Sequence, residues 1–245
     1  MVGDCFDRGT KNKEVFEFMK TMQSQDRLIY VLGNHEDLLF DCMAEIAQGW
    51  HPGNHHFHNH TVHTIAEFCD IEWYNLLPLS DDKIKLIFDK TEELRFFIRE
   101  HGVNYFELGN RIFTHSWLPV IEYFDKPLLW DKWDKELTDP VEASNYWEKW
   151  RKARWPNPYK YWKQGLYPKD KCIVFGHYHV SYGHSHIDMQ TKEWPQRNQK
   201  EKFEAAFKPW VKENAIGLDA CCAYSGKINC VVFDETGRVI DGLLN

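Results

Sequence analysis

The chain has 245 residues, of which 43% are apolar and 27% are charged, and its formal net charge is −7. This length and apolar fraction suit one substantial α/β core, and the negative charge argues against a nucleic-acid backbone as the main partner. No apolar run reaches the ~18 residues of a membrane span, and the N-terminus lacks the order of a secretion signal. We therefore expect a cytoplasmic protein without a membrane partner.

Four segments carry apolar residues at helical spacing and predict helices: residues 12–24, 37–48, 61–67 and 89–101. Short apolar runs predict strands at residues 28–32, 103–108, 111–114, 172–175, 215–219, 227–233 and 238–243. The Gly109-Asn110 pair predicts a hairpin between two of these strands. Gly33 is expected to allow the tight turn that presents the next two residues.

Five short motifs follow one another: Gly-Asp-Cys-Phe-Asp-Arg-Gly from Gly3, Gly-Asn-His-Glu from Gly33, Thr-His-Ser from Thr114, Gly-His-Tyr-His from Gly176 and Leu-Asp-Ala-Cys from Leu218. The first four lie at predicted strand ends and contain Asp, Asn or His. These ligand types without thiolate suit divalent Mn, Fe, Zn or Ni. Two ions that share a bridging carboxylate would hold a phosphate and activate water, which indicates phosphoester hydrolysis.

The ordered motifs resemble those of the calcineurin-like metallophosphoesterases, and most closely the bacterial and phage serine/threonine phosphoprotein phosphatases. The resemblance implies an α/β sandwich of two mixed β-sheets flanked by helices, in a single domain over residues 1–245 with a cap insertion at residues 117–165. It implies hydrolysis of phosphate monoesters, on phosphoproteins or small phosphoesters, by a metal-bound hydroxide. Diadenosine polyphosphates or other nucleotides are the alternative substrates.

The same resemblance assigns roles to single residues. It implies two divalent ions, Mn above all, with Asp4 as the bridging carboxylate. The second ion would be held also by Asn34, His115 and His177, and the first by His179. His35 would donate a proton to the leaving group, oriented by Asp7, because a carboxylate partner fixes the tautomer of an imidazole and raises its pKa.

Phosphate oxygens would be bound by Asn34 and by Arg8, whose planar guanidinium offers a fork of donors. A basic run contains Lys149, Arg151, Lys152 and Arg154. This run predicts either a solvated helix face or an Arg154 that turns toward the metals as a second phosphate ligand.

The family opens with a strand ending in Asp-x-His, which gives two ligands to the first ion. This chain begins at Met1-Val2-Gly3-Asp4, inside what should be the second strand, and no Asp-x-His occurs later. We expect a shortened chain with the first strand missing, a start assigned at an internal Met, or a one-metal protein. The first metal site would then be weak, and an inactive remnant that binds phosphate or a partner is a further alternative.

Two segments lie outside the motifs. Six of the thirteen histidines fall between Trp50 and His63: His51, His55, His56, His58, His60 and His63. They predict either a third metal site, with His56 and His60 on one helix face, or a polar surface loop. Seven of the eleven tryptophans fall between Trp117 and Trp162. They predict either a cap with its own aromatic core or a surface that binds a nucleobase or a protein segment.

The seven cysteines are an odd number without C-x-x-C spacing, which predicts reduced thiols. Cys5 lies inside the first motif. Its position allows two readings, a small packing residue at a turn or a nucleophile.

Overall fold

The computed structural model describes residues 1–123, 126–135, 137, 139–190 and 206–244. Residues 124, 125, 136 and 138 of the predicted cap therefore lie outside the described part. The chain divides into two compact units, the first made of Met1 and Gly3–Val103 and the second of Val2 and Asn104–Asn245. That all 245 residues form a single domain stays a prediction.

The first unit is mainly helical. Its helices are α1 (Asn12–Ser24), α2 (Asn34–Ala47), α3 (Asn54–His58), α4 (Thr61–Phe68) and α5 (Asp81–His101). Its strands are β1 (Tyr30–Val31) and β2 (Gly102–Val103), which pair in parallel. The backbone of Met1 adds to this pair, because Val31 N donates to Met1 O at 3.0 Å.

Helix α4 lies at the centre of the first unit. It contacts α1, α2, α3 and α5, and six of its eight residues are buried. Residues such as Met19, Ile46, Ile65 and Leu94 bring these helices into one core, in which each is at most 1% exposed. The amphipathic patterns of the sequence therefore pack against each other around α4.

The second unit is built on a five-stranded mixed sheet with the order β3-β4-β7-β9-β8. These strands are β3 (Tyr105–Leu108), β4 (Arg111–Thr114), β7 (Cys172–Phe175), β8 (Trp210–Lys212) and β9 (Ala215–Gly217). The three central strands are parallel, and both edge strands are antiparallel to their neighbours. Two further hairpins complete the β-structure: β5 (Val120–Tyr123) with β6 (Lys126–Leu129), and β10 (Cys230–Phe233) with β11 (Val239–Leu244).

Both faces of the five-stranded sheet are covered, as expected for parallel strands. On β7, Ile173 and Phe175 face a core that includes Trp117, Trp130, Trp133 and Trp150, while Cys172 and Val174 face a smaller core. The smaller core includes Phe233 of β10, whose ring lies 5.2 Å from that of Phe113. The predicted α/β fold, with a multi-strand mixed sheet flanked by helices, is confirmed.

Two helices, α6 (Pro140–Ala153) and α7 (Pro158–Lys163), lie between β6 and β7 in the chain, and α8 (Val180–His186) follows β7. A short α9 (Cys222–Ser225) interrupts the C-terminal region, where the sequence predicts strands alone. Over the described residues, none of the helices is both long and apolar enough to cross a membrane.

Among the described residues of the tryptophan-rich region, the buried tryptophans share one core with the sheet. Trp117 and Trp150 are fully buried and belong to the same cluster as Ile112 and Ile173 of the sheet. Trp147 and Trp155 are 53% and 45% exposed. Most of the region therefore serves the core, and a smaller part forms surface.

Candidate functional site

The loop that carries the first motif has an unusual backbone. Asp4, Asp7 and Arg8 have φ angles of 52°, 69° and 56°, which lie in the left-handed region. Non-glycine residues seldom adopt this region, although Asp does so more readily than most. Such backbone clusters at functional sites and persists only where the surrounding structure holds it.

The side chain of Glu36 holds this loop. Its carboxylate accepts hydrogen bonds from three backbone N–H groups, those of Gly33, Asp4 and Cys5, at 2.6, 3.2 and 3.1 Å. Glu36 is buried in the first turn of α2, where the helix dipole also favours a negative charge. One carboxylate thus joins the first motif to the start of α2.

Gly33 has a different role from the one that the sequence suggests. Its φ is −102°, so the backbone there is open to any residue, and α2 begins directly afterwards, at Asn34. A Cβ atom on Gly33 would lie 2.3 Å from Asp4 Oδ1 and 2.5 Å from Asp4 N. Glycine is required by this close approach of the two motifs, and the expected tight turn is wrong.

Asp7 and His35 form a buried pair. His35 Nδ1 donates to Asp7 Oδ2 at 2.8 Å, and the same carboxylate accepts from the hydroxyls of Thr61 and Thr64 at 2.8 and 2.6 Å. The hydrogen bond to Asp7 fixes the tautomer of His35 and directs Nε2 toward Asp4, whose Oδ2 lies 3.9 Å away. The Asp7 carboxylate thus holds His35 in one orientation, and the role of His35 as a proton donor stays a prediction.

Electrostatics favour the protonated form of this imidazole. Burial lowers the pKa of His35, but the hydrogen bond to Asp7 and the negative charges of Asp4 and Asp7 outweigh it, so the pKa is raised above its ordinary value. A raised pKa keeps the imidazolium populated near neutral pH, which is the form that a proton donor needs.

The other predicted site residues of the first unit belong to the same two motifs but differ in how far they are buried. Asn34 is buried in the first turn of α2, and Asp4 accepts a hydrogen bond from His35 N at 3.1 Å. Arg8 is exposed, and its guanidinium donates to Asn59 Oδ1. For Cys5, burial and the charge of Glu36 raise the pKa of the thiol well above its usual range, which disfavours the nucleophile reading.

In the second unit, the carboxyl ends of β4 and β7 present two histidines side by side. The strands are parallel with Thr114 opposite Phe175, so His115 and His177 follow at the same edge of the sheet. Their ring centroids are 4.9 Å apart. Two strand ends thus bring His115 and His177 together, and the metal site that the sequence predicts from Asp, Asn and His stays a prediction.

Both imidazoles are oriented as metal ligands commonly are. His115 Nδ1 donates to the carbonyl of Val2 at 2.7 Å, and His177 Nε2 donates to the carbonyl of Trp155 at 2.9 Å. A backbone carbonyl only accepts, so each bond leaves the lone pair on the opposite ring nitrogen. Such an outer hydrogen bond fixes the tautomer of a ligating histidine, and the two residues fit the divalent ion that the motifs imply.

Arg154 belongs to the second unit, as do His115 and His177. It is 4% exposed, unlike the exposed Arg151 and Lys152, and its guanidinium donates to Asn104 Oδ1 at 2.6 Å. The carbonyls that follow it contact the histidine loops, because Trp155 O accepts from His177 and Pro156 O accepts from Ser116 Oγ at 2.6 Å. The solvated-face interpretation is therefore wrong for Arg154, although it holds for its exposed neighbours.

His179 stands apart from the pair. It precedes α8, and its backbone carbonyl accepts from the hydroxyl of Tyr159 at 3.3 Å. Among the described residues, no group of candidate metal ligands includes His179. Its role as a ligand of the first ion stays a prediction.

The histidine-rich segment is partly helical: His55, His56 and His58 lie in α3 and His63 in α4, whereas His51 and His60 lie outside the helices. His56 belongs to α3 and is fully buried, whereas His60 precedes α4 with a φ of 67°, so the two do not share a helix face. Burial is the largest of the effects that lower the pKa of His56, and the neighbouring His55 adds to it. The interpretation as a polar surface loop is wrong for His56.

Sequence reasoning missed several residues that hold the site. Glu36 is the last residue of the Gly-Asn-His-Glu motif, so its place in that motif was a usable signal. Thr61 and Thr64 contact Asp7 from more than fifty positions away. Asn104 reaches Arg154 across a similar separation. Nothing local in the sequence marks these contacts.

We expect Glu36→Gln to destabilise the first unit by about 1.5–3 kcal/mol, because hydrogen bonds to a charged acceptor are replaced by an amide with one acceptor oxygen. Urea unfolding measures this change. The control is Glu14→Gln, which removes the same charge from an exposed position in α1. Equal stability of the two variants would contradict the role given to Glu36.

We expect the pKa of His35 to fall in Asp7→Asn, because the carboxylate that raises it is gone while burial remains. A raised pKa in the folded state adds stability below the unfolded pKa of ~6.5, and that stability is lost as pH rises through the folded value. The variant should therefore lose more stability relative to the parent at about pH 6 than at about pH 9.

Proton NMR of His35 and urea unfolding in the presence of a chelator measure these two effects. Asp26→Asn is the matched control, because Asp26 is exposed and also has a positive φ that asparagine tolerates. A stability difference that is as large at pH 9 as at pH 6 would refute the coupling.

Comparison with models of known protein families identifies a family for this chain. The model of the calcineurin-like phosphoesterase family matches residues 1–200 of the 245. A comparison with curated protein sequences found no significant match. The match spans the motifs from Gly3 to His179, including both histidines of the sheet edge and the Asp7–His35 pair. The chain belongs to the calcineurin-like phosphoesterase family.

Proposed function

We propose that this phosphoesterase hydrolyses phosphate monoesters, on phosphoproteins or small phosphoesters, in the cytoplasm. Its family implies divalent metal ions. We propose two, with Mn favoured, held by Asp4, Asn34, His115, His177 and His179. When bound, such ions lower the pKa of water and neutralise charge on the phosphoryl oxygens.

The observation that carries the proposal is the Asp7–His35 pair. A buried histidine with a carboxylate on Nδ1, a raised pKa and Nε2 directed toward Asp4 is suited to protonate an oxygen leaving group. Asp7 is a positioning residue, because it acts through His35. The hydroxyls of Thr61 and Thr64 keep its carboxylate in place.

Two arginines supply the positive charge that a phosphate needs. Arg8 follows Asp7 in the first motif and is exposed, so its planar guanidinium can bind two phosphoryl oxygens. We propose that Arg154 is the second phosphate ligand. Its support is that it is buried and directly precedes Trp155 and Pro156, whose backbone carbonyls contact His177 and Ser116.

The test uses two substrates that differ in how much their leaving group needs a proton. We expect His35→Asn to reduce kcat on an alkyl phosphate or a phosphoserine peptide by about 10²–10⁴-fold, because the oxygen must be protonated as it leaves. The loss on p-nitrophenyl phosphate should be much smaller, because its phenolate leaves without a proton. Both rates are measured with Mn in excess.

His58→Asn is the matched control, because His58 is an exposed histidine of the same unit outside the motifs. Equal losses on both substrates would refute the proton-donor role of His35. If the parent chain turns over neither substrate while phosphate still binds, the interpretation as an inactive phosphate-binding remnant replaces the proposal.

A second candidate function is nucleotide hydrolysis. A cavity of about 350 Å³ in the second unit is lined by the aromatic rings of Tyr105, Tyr146 and Trp147, together with the charged side chains of Asp134 and Lys135. Trp147 is 53% exposed, so a nucleobase could stack on it. This cavity favours a substrate such as a diadenosine polyphosphate over a bare phosphate ester.

The two candidates differ in their response to Trp147→Ala. If a base stacks there, the KM for diadenosine tetraphosphate should rise about fivefold or more, since stacking contributes ~1–3 kcal/mol per base. The KM for p-nitrophenyl phosphate should not change. Trp50→Ala, at another exposed tryptophan, is the control. An unchanged KM for the dinucleotide would remove the nucleotide hypothesis.

A further inference from the structure

A second group of potential metal ligands lies inside the first unit, outside the family motifs. Glu45 comes from the last turns of α2, and His55 and His56 are consecutive residues of α3. One ligand atom from each of the three residues lies within 4.8 Å of the other two. A carboxylate and two imidazoles thus converge where α2 and α3 meet.

The environment of His56 lacks what a buried imidazole normally has. The residue is fully buried, and among the described residues neither of its ring nitrogens has a hydrogen-bond partner. Glu45 Oε2 lies 3.6 Å from Nε2, which is too long for a hydrogen bond. Buried polar groups are nearly always satisfied, so this imidazole calls for a partner beyond those that the described part of the chain supplies.

The other two side chains are arranged around it. The ring of His55 lies 3.9 Å from that of His56, and Glu45 Oε2 accepts from Gly53 N at 2.7 Å, which fixes the carboxylate. A Cβ atom on Gly53 would lie 2.8 Å from His55 Cε1 and 2.9 Å from its Nδ1. Glycine at position 53 therefore leaves the space that the His55 ring occupies beside the other two ligands.

We propose that Glu45, His55 and His56 bind one zinc ion that joins the end of α2 to α3. Two imidazole nitrogens and one carboxylate oxygen without thiolate form a common zinc ligand set, and three protein ligands leave a fourth position for water. Ligand atoms around tetrahedral zinc lie about 3.3 Å apart, from a Zn–N distance of ~2.0 Å. The three atoms lie within 4.8 Å of one another, so they need to close by at most about 1.5 Å, which rotation of the exposed His55 side chain can supply.

An ion pair between Glu45 and a protonated His56 is the competing explanation. Burial lowers the pKa of His56, which disfavours its protonated form, and a hydrogen bond from Gly53 N already occupies Glu45 Oε2. An ion pair also gives no reason for the His55 ring to lie beside that of His56. A metal ion accounts for all three side chains, and this zinc site is independent of the proposed phosphoesterase function.

The test is the zinc content of the full chain after equilibrium dialysis against a low zinc concentration. We expect His55→Ala and Glu45→Gln each to lose one zinc per chain relative to the parent. His58→Ala should lose none, because His58 is an exposed histidine of the same short helix. Circular dichroism establishes that each variant is folded. His56 is left intact, because its burial makes any substitution a folding risk.

A second readout separates this site from the phosphoesterase centre. Zinc should raise the Tm of the parent and of His58→Ala by more than it raises that of His55→Ala, whatever the activity of each protein. Zinc contents and Tm shifts that are the same in His55→Ala and Glu45→Gln as in the parent would overturn the proposal. Failure of phosphate-ester hydrolysis would leave the zinc result unaffected.

Discussion

The first unit depends on a single carboxylate. Glu36 accepts hydrogen bonds from the backbone of Gly33, Asp4 and Cys5, and so holds a loop with three left-handed non-glycine residues against the start of α2. Without it, the strained backbone has fewer contacts to hold it, and strain of this kind persists only where its surroundings fix it. The position of the Asp4 backbone follows from this contact.

Three histidines that we propose for catalysis or metal binding are each oriented by a neighbouring group that does not itself react. Asp7 orients His35, and backbone carbonyls orient His115 and His177. Helix α2 carries Asn34 and His35 in its first turn and Glu45 in its last turns. This one helix thus connects the family motif to the proposed zinc site. That connection explains why the histidine-rich segment lies beside the end of α2.

Sequence reasoning succeeded where the signal was local. Apolar periodicity gave α1 with its observed bounds, the apolar runs gave β4 and β7, and the Gly109-Asn110 pair gave the hairpin. It failed where contacts are distant in sequence. The need for glycine at position 33 arises from Asp4 packing against it, and the burial of His56 arises from the way α3 packs in the fold. Helix α5 begins eight residues before its predicted start. Its first turn is capped by Ser80, whose side chain accepts a hydrogen bond from Lys83 N.

We propose that Asp4, Asn34, His115 and His177 bind a catalytic divalent ion. A crystal of the full chain soaked in Mn, with diffraction data collected at the Mn absorption edge, tests this ligand set. We expect an anomalous peak within coordination distance of the Asp4 carboxylate and of both imidazoles. Crystals that show no Mn peak at these residues, or a peak only elsewhere in the chain, would contradict it.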